Sequence, residues 1–518
     1  STMTGDVLAD SGATADVLLR NQSQLNGNVQ LIGNSTVNLD LDQSRMTGDV
    51  LVENNSIANV LLQNHSQLIG RLDGVNGVTI NSQSSWTLTG NDSIGALAMN
   101  SGSVSFGAAG TDTFYQLNVG ALAGNGTFAM KGDFVTGERD LLNVTGVATG
   151  DFDLAVRASG LDATSPQQLT LVHTAAGDAH FSLLNGPVDV GAFSYALSSI
   201  TDGAGATEWF LDPTTKTISP GAQSVLALFN ATPTIWNSEL TSMRSRMGEL
   251  RLNNGQSGAW IRNYGNKVNV ADGAGLGYQQ TQQGMSLGAD ARWGDSQWLV
   301  GVLAGYSRSD LDVNRGTSGT VDSYYLGSYA TWLNASGYYF DGVLKLNRFQ
   351  NEAKVSLSDG SRTKGNYNAM GVGASAEFGR HIKLDDGYFV EPFTQWSAVV
   401  IQGRHYDLDN GMEADGDRAR SLLGKLGATA GRSIPLSGGG VVQPYVRAAM
   451  VHEFARNNEV QVNDNRFNND LSGSRAEFGA GALAGLSEKL QLHVDLDYGK
   501  GEQIEQPWGV NVGLRYFW

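Results

Sequence analysis

No cysteine occurs in the 518-residue chain, and only 16% of its residues are charged. The first absence excludes disulfides and thiolate metal sites. Cations are scarce, with 34 Lys and Arg against 51 Asp and Glu and a formal charge of -17. Phosphate binding along nucleic acid needs a cationic surface, so no nucleic-acid partner is expected. The acidity instead keeps a long β-rich chain soluble and unassociated. No run of 18 or more apolar residues occurs, which excludes a membrane-spanning helix and leaves a closed barrel as the route into a bilayer. The seven His are scattered without an i, i+4 pair, so no metal site and no cofactor is expected. Nor does a signal peptide precede Ser1. Export would need one, and the chain opens within a repeat, so it reads as the C-terminal part of a longer protein.

What is present begins with that repeat. Met3-Thr-Gly-Asp-Val-Leu8 recurs as Met46-Thr-Gly-Asp-Val-Leu51, and Ala15-Asp-Val-Leu-Leu19 returns as Ala58-Asn-Val-Leu-Leu62, both 43 residues on. Within this period Ser-x-[Leu/Met]-x-Gly starts at Ser1, Ser23, Ser44 and Ser66, steps of 22, 21 and 22 residues. Short aliphatic strands separated by Asn, Gly and Ser turns suit the rungs of a parallel β-helix. Stacked rungs bury a continuous core that no single unit could form alone. Past residue 110 aromatics enter, among them Phe128, Phe152, Phe181 and Trp209. A bulkier terminal module is expected there, because a solenoid end exposes strand edges and an open core.

From Ala222 to Leu252 the apolar spacing turns helical, with Ile235 followed by Leu240, Met243, Met247 and Leu250, the last four at steps of three or four. Pro233 is expected to split the helix in two. The stretch from Thr234 to Arg251 would be roughly 27 Å long, close to the bilayer's hydrocarbon thickness, so it fits a pore lengthwise. Its charges forbid a lipid-facing span.

Beyond Ser257 about twelve alternating segments follow, each near the length of a tilted membrane strand. Leu344 and Leu346 oppose Asp341, Lys345 and Asn347; in the last segment Val510, Val512, Leu514, Tyr516 and Trp518 oppose Asn511, Gly513 and Arg515. An apolar outside and a polar lumen require this pattern. Connections alternate between short ones, such as residues 294–297, 334–337 and 487–489, and long ones expected at 310–320, 350–364, 403–419 and 455–474. The whole is all-β: a right-handed parallel β-helix, a pore helix and a 12-stranded antiparallel transmembrane β-barrel. Its domains are repeats at 1–110, a cap at 111–221, a linker at 222–256 and the barrel at 257–518.

This order of parts resembles the type Va autotransporters and, within them, the pertactin-like family. Three stretches carry the resemblance. The cap contributes Asp140-Leu-Leu-Asn-Val144, Leu169-Thr-Leu-Val-His173 and Val188-Asp-Val-Gly-Ala-Phe-Ser-Tyr195. The junction contributes Arg246, Met247, Gly248, Glu249, Leu250, Arg251 and Leu252 with Gly258-Ala-Trp260-Ile-Arg262, and the C-terminus contributes Leu514-Arg-Tyr-Phe-Trp518.

The resemblance implies a translocator in the bacterial outer membrane whose lumen holds the linker and through which a passenger reaches the cell surface. It implies an autochaperone role for the cap. It also implies outer-membrane lipid and the barrel-assembly machinery as partners, the latter reading the terminal strand at Val510, Val512, Leu514, Tyr516 and Trp518. Members of the group cut themselves inside the barrel through an Asn succinimide, and Asn230-Ala231 is the candidate bond, with Asn237-Ser238 a rival and a plain turn residue the alternative. The passenger is expected to be adhesive toward a host or other cell-surface ligand; the alternative is the carrier of a secreted protease or esterase whose catalytic domain precedes residue 1. Within the chain no enzyme is expected. Gly284-Met-Ser-Leu-Gly288 matches the nucleophile-elbow string, but Ser286 falls mid-strand rather than in a strand-to-helix turn.

Overall fold

Met3, Leu25, Met46, Leu68 and Trp86 occupy one register column of stacked parallel strands, so the Ser-x-[Leu/Met]-x-Gly spacing is the rung spacing of a β-helix. The last four are at most 2% exposed. The computed structural model describes every residue except 54, 164–166, 241, 254–255, 272–276, 438–439 and 457, together with all of residue 253 but its side chain. It divides into two units, Ser1–Ser219 with Leu357–Ser361, and Pro220–Ser356 with Arg362–Trp518.

In the first unit the repeat's serines form a ladder. Ser44 Oγ accepts from Ser23 N at 3.2 Å, Ser66 Oγ from Ser44 N at 3.1 Å and Ser84 Oγ from Ser66 N at 3.0 Å. Each corner donor thus finds its partner on the next rung. Gly48, at φ 147, is fixed by close approach, since a Cβ there would lie 2.1 Å from Gly27 O. Longer strands follow at Asp92–Ser105, Gln116–Met130 and Leu141–Val156, still parallel. The direction then changes. Leu169–Gly177 pairs antiparallel with Thr207–Leu211, which pairs with Leu197–Thr201. Inside this end Phe128, Phe152, Phe181 and Trp209 form a ring stack with successive centroids 5.7, 5.4 and 5.5 Å apart.

The second unit opens with α1, Pro220–Glu239, and α2, Met243–Met247. Pro233 does not split the helix as expected, and the break follows Glu239 instead. Proline orphans the carbonyl four residues back, and here Thr232 Oγ1 donates to that Phe229 carbonyl at 3.1 Å. The expected single rod from 234 to 251 is therefore the end of α1, then α2, then a 3-10 turn at Leu250–Asn253.

Twelve antiparallel strands follow: β1 Gly258–Ala271, β2 Gly277–Arg292, β3 Trp298–Asp312, β4 Ser318–Leu333, β5 Tyr338–Ser356, β6 Arg362–Arg380, β7 Tyr388–Ile401, β8 Ala419–Arg432, β9 Val441–Glu453, β10 Gly473–Ser487, β11 Leu490–Gly501 and β12 Ile504–Phe517. Each pairs with its neighbours, and β1 pairs with β12 from Gly258↔Phe517 onward, which closes the sheet. A closed ring leaves no unpaired edge in lipid. The end at Gly258 and Phe517 carries the tight turns and is the periplasmic one.

At the other end two expected long loops turn out to be mostly strand, because β3 and β4 reach Asp312 and Ser318, and β5 and β6 reach Ser356 and Arg362. Above the lipid the outward face is polar, so the hydrophobic alternation fades while the hydrogen-bond ladder continues. The two longest connections hold a small sheet of Arg404–Asp407, Glu413–Gly416, Glu459–Val462 and Asn465–Asn468.

Candidate functional site: the barrel lumen and its linker

Many inward side chains of the barrel are polar, including Arg262, Ser286, Ser307, Lys345 and Asn347, and the linker is buried among them. Glu239, at the end of α1, is the chief anchor. Its carboxylate accepts from Lys345 Nζ at 2.6 Å, Asn347 Nδ2 at 2.7 Å and Ser307 Oγ at 2.8 Å, while its backbone carbonyl accepts from Arg262 Nη2 at 2.9 Å. Strands β1, β3 and β5 thus hold one residue. A carboxylate so buried requires this full set of donors.

The junction residues come together below it. Met247, Leu250 and Trp260 join one apolar cluster with Tyr325, Tyr329 and Phe517. Arg246 Nη2 lies 2.7 and 2.8 Å from the two Asp341 oxygens, and its guanidinium sits 4.9 Å from the Tyr329 ring centroid. Gly248 ends α2 at φ 73, and a Cβ there would meet Gln491 Oε1 at 2.8 Å. Glu249 accepts from Arg244 at 2.6 Å and Arg251 at 3.0 Å. Glu249, His381 and Glu391 place ligand atoms within 4.8 Å of one another. Arg244 and Arg251 each reach both carboxylates, at 2.6 to 3.3 Å, so the group is a charge-balanced clamp on the turn.

The closing strands also grip the linker. Asn511 Nδ2 and His493 Nε2 donate to the Ser245 carbonyl at 2.8 and 3.0 Å, and Gln491 Nε2 donates to that of Glu249 at 3.0 Å. Arg515 and Asp290 form a two-pronged pair at 2.8 and 2.6 Å between β12 and β2, spanning β1. Outside, Val510, Val512, Leu514, Tyr516 and Trp518 are 37–59% exposed on the lipid-facing side.

Asn230 lies in α1 rather than in a turn, buried beside Ala231. Its Oδ1 accepts from Tyr278 at 2.7 Å, and its Nδ2 donates to Asn469 O and Oδ1 at 3.1 and 3.2 Å. The side chain borders a cavity of about 180 Å³ that is also lined by Glu453, Arg447 and Asp497. Asn237 donates to Ser421 Oγ at 3.0 Å. Ser286 is buried in mid-strand β2, where its hydroxyl accepts from Arg262 Nε at 3.2 Å.

A family model described as the autotransporter beta-domain matches residues 259–497, and one described as pertactin matches residues 94–213. The chain belongs to the pertactin-like autotransporters. It is 36% identical over 460 residues to the autotransporter CRAC of Citrobacter rodentium, covering 83% of this chain and 28% of that protein. It is 31% identical over 497 residues to the autotransporter adhesin/invasin TibA of Escherichia coli, covering 83% and 50%. Among solved structures, the beta domain of the Bordetella autotransporter BrkA is 31% identical with a TM-score of 0.44, over 51% of this chain and all of that one. The chain thus spans about half or less of these curated relatives. As an autotransporter it resides in the bacterial outer membrane, its apolar strand faces against lipid.

Of the junction residues singled out in the sequence, Met247, Leu250 and Trp260 pack together, whereas sequence pattern missed Tyr278 and Asn469 as partners of Asn230, and Glu239 as the anchor. Neither signal was available in the chain, because both depend on which strand comes to face the helix.

Proposed function

We propose that this autotransporter delivers its β-helix passenger through the outer membrane and displays it on the cell surface, where the passenger is adhesive. The observation that carries the reading is the linker, held inside the barrel by Glu239, Arg246 and Glu249 and continuous in sequence with the β-helix. A segment so placed is what remains of a chain that has passed through the pore. The adhesive reading rests on a passenger of stacked rungs and on the adhesin/invasin named among its relatives. Insertion is by the barrel-assembly machinery, with β12 as the strand it reads. Heat-modifiable gel migration combined with proteolysis of intact cells tests display. Residues 1–219 should be digested while the barrel remains; protection of those residues on intact cells would refute it.

A second reading concerns Asn230. Its amide is held at both ends and followed by the small Ala231, an arrangement suited to a single-turnover cut in which Nδ2 attacks the residue's own backbone carbonyl. A succinimide forms, the Asn230–Ala231 bond breaks, and the proton lost from Nδ2 passes to the Ala231 amine.

A further inference from the structure

The outward faces of β3 to β6 meet in register, and each row across them has its own chemistry. Ala304, Leu326, Leu346 and Val372 form an apolar row, with the last three 62, 52 and 48% exposed. One step toward the loops stand Tyr306, Tyr324, Arg348 and Met370, the two tyrosine rings 5.0 Å apart. Next come Arg308, Asp322, Gln350 and Asn368, then Asp310, Thr320, Glu352 and Asn366, and then Asp312, Ser318, Lys354 and Lys364.

Within these rows the acids are partly taken. Arg308 lies 3.5 Å from Asp310 and 3.8 Å from Asp322, which also accepts from Tyr306 at 2.6 Å, and Lys354 lies 3.3 Å from Glu352. Arg348 and Lys364 form no ion pair among the described residues. Lys364 moreover stands directly across from Lys354, a like-charge pairing that weakens a sheet unless an anion lies between. Arg348 follows the apolar row by a single outward step, at the depth where tyrosines mark the membrane surface.

The surface is continuous with the lipid-facing band on the same strands, so its neighbour is the lipid of the outer leaflet. In a Gram-negative outer membrane that lipid is a glycolipid with phosphates on its headgroup. We propose that Arg348, beside Tyr324 and Tyr306, and Lys364, three rows farther toward the loops, bind the phosphorylated headgroup of an outer-leaflet glycolipid. Arg348 meets a phosphate at the membrane surface, and the Lys354–Lys364 pair meets anionic groups farther out.

The test uses the full chain folded in detergent and titrated with lipopolysaccharide that carries both lipid A and core phosphates, with the same lipid after phosphate removal, and with inorganic phosphate, bound ligand being read by native mass spectrometry. The wild-type chain should retain the phosphorylated lipid, and R348Q/K364Q should bind it about thirtyfold more weakly. R348E/K364E should lose it further. Both variants face outward, so their heat-modifiable migration without lipid should match the wild type; should the charge reversal fail to fold, R348Q/K364Q decides alone. Equal retention of the dephosphorylated lipid, undiminished binding by R348Q/K364Q, or inorganic phosphate displacing the lipid at equal concentration would each overturn the proposal.

Discussion

Glu239 Oε2 and Lys345 Nζ stand 2.6 Å apart with side chains 0% and 1% exposed, joining the end of the linker helix to the barrel wall. Removing one partner strands the other charge in a site that water does not reach. Lys345→Met should cost about 3–5 kcal/mol, read as a lower midpoint for the heat-modifiable band shift. The double variant Glu239→Gln/Lys345→Met should recover much of the loss. A single variant as stable as the wild type would mean that the pair does not anchor the linker.

The same linker fills the lumen, so ionic current through the barrel should depend on it. Deleting residues 222–250 should raise single-channel conductance in planar bilayers several-fold over the full chain. Unchanged current would show that α1 does not obstruct the pore.

Self-cleavage at Asn230 has a mass signature. Folded protein held at neutral pH should yield fragments meeting between Asn230 and Ala231, and Asn230→Ala should stay whole. Tyr278→Phe, which removes the donor to Oδ1, should slow the cut about tenfold. A single full-length mass after prolonged incubation would rule out the reaction.

In the β-helix, burial pushes the Asp92 carboxyl up to about 6, against the smaller opposing pull of its bonds to Leu72 and Arg71. A folded-state value above the unfolded one means that the native state binds the extra proton. Asp92 therefore favours folding fully below about 4, and that contribution is lost as pH rises through about 6. Relative to Asp92→Asn, the wild type should lose denaturant resistance between these limits and run parallel outside them, followed by fluorescence of the buried Trp86.

Gly48→Ala tests rung stacking. The new methyl would meet the Gly27 carbonyl, so the rungs must part locally at a cost of about 1–3 kcal/mol. Denaturation of the β-helix should shift by that amount, with barrel migration on gels unaltered.

Much of this architecture is legible in the chain because two periodicities coincide with two environments. Rung spacing follows directly from the Ser-x-[Leu/Met]-x-Gly string, and the lumen face from the polar half of each alternating strand, as with Asp341, Lys345 and Asn347. Where outward residues are also polar, as from Arg308 to Asp312, alternation disappears and strands read as loops. Pro233 misled for a different reason: the repair comes from Thr232, a residue whose rotamer no pattern reports. Partners such as Asp290 for Arg515 lie 225 residues apart, and only closure of the ring sets that distance in space.

The antiparallel strands that end the β-helix have a consequence for how damage spreads. Leu169–Gly177 receives an antiparallel neighbour on its outer side, so no further parallel rung can add there. The stack has one growing face, toward Ser1. A flawed rung should therefore act like a break in a zip with a single slider: everything C-terminal to it closes normally, and everything N-terminal to it is left open.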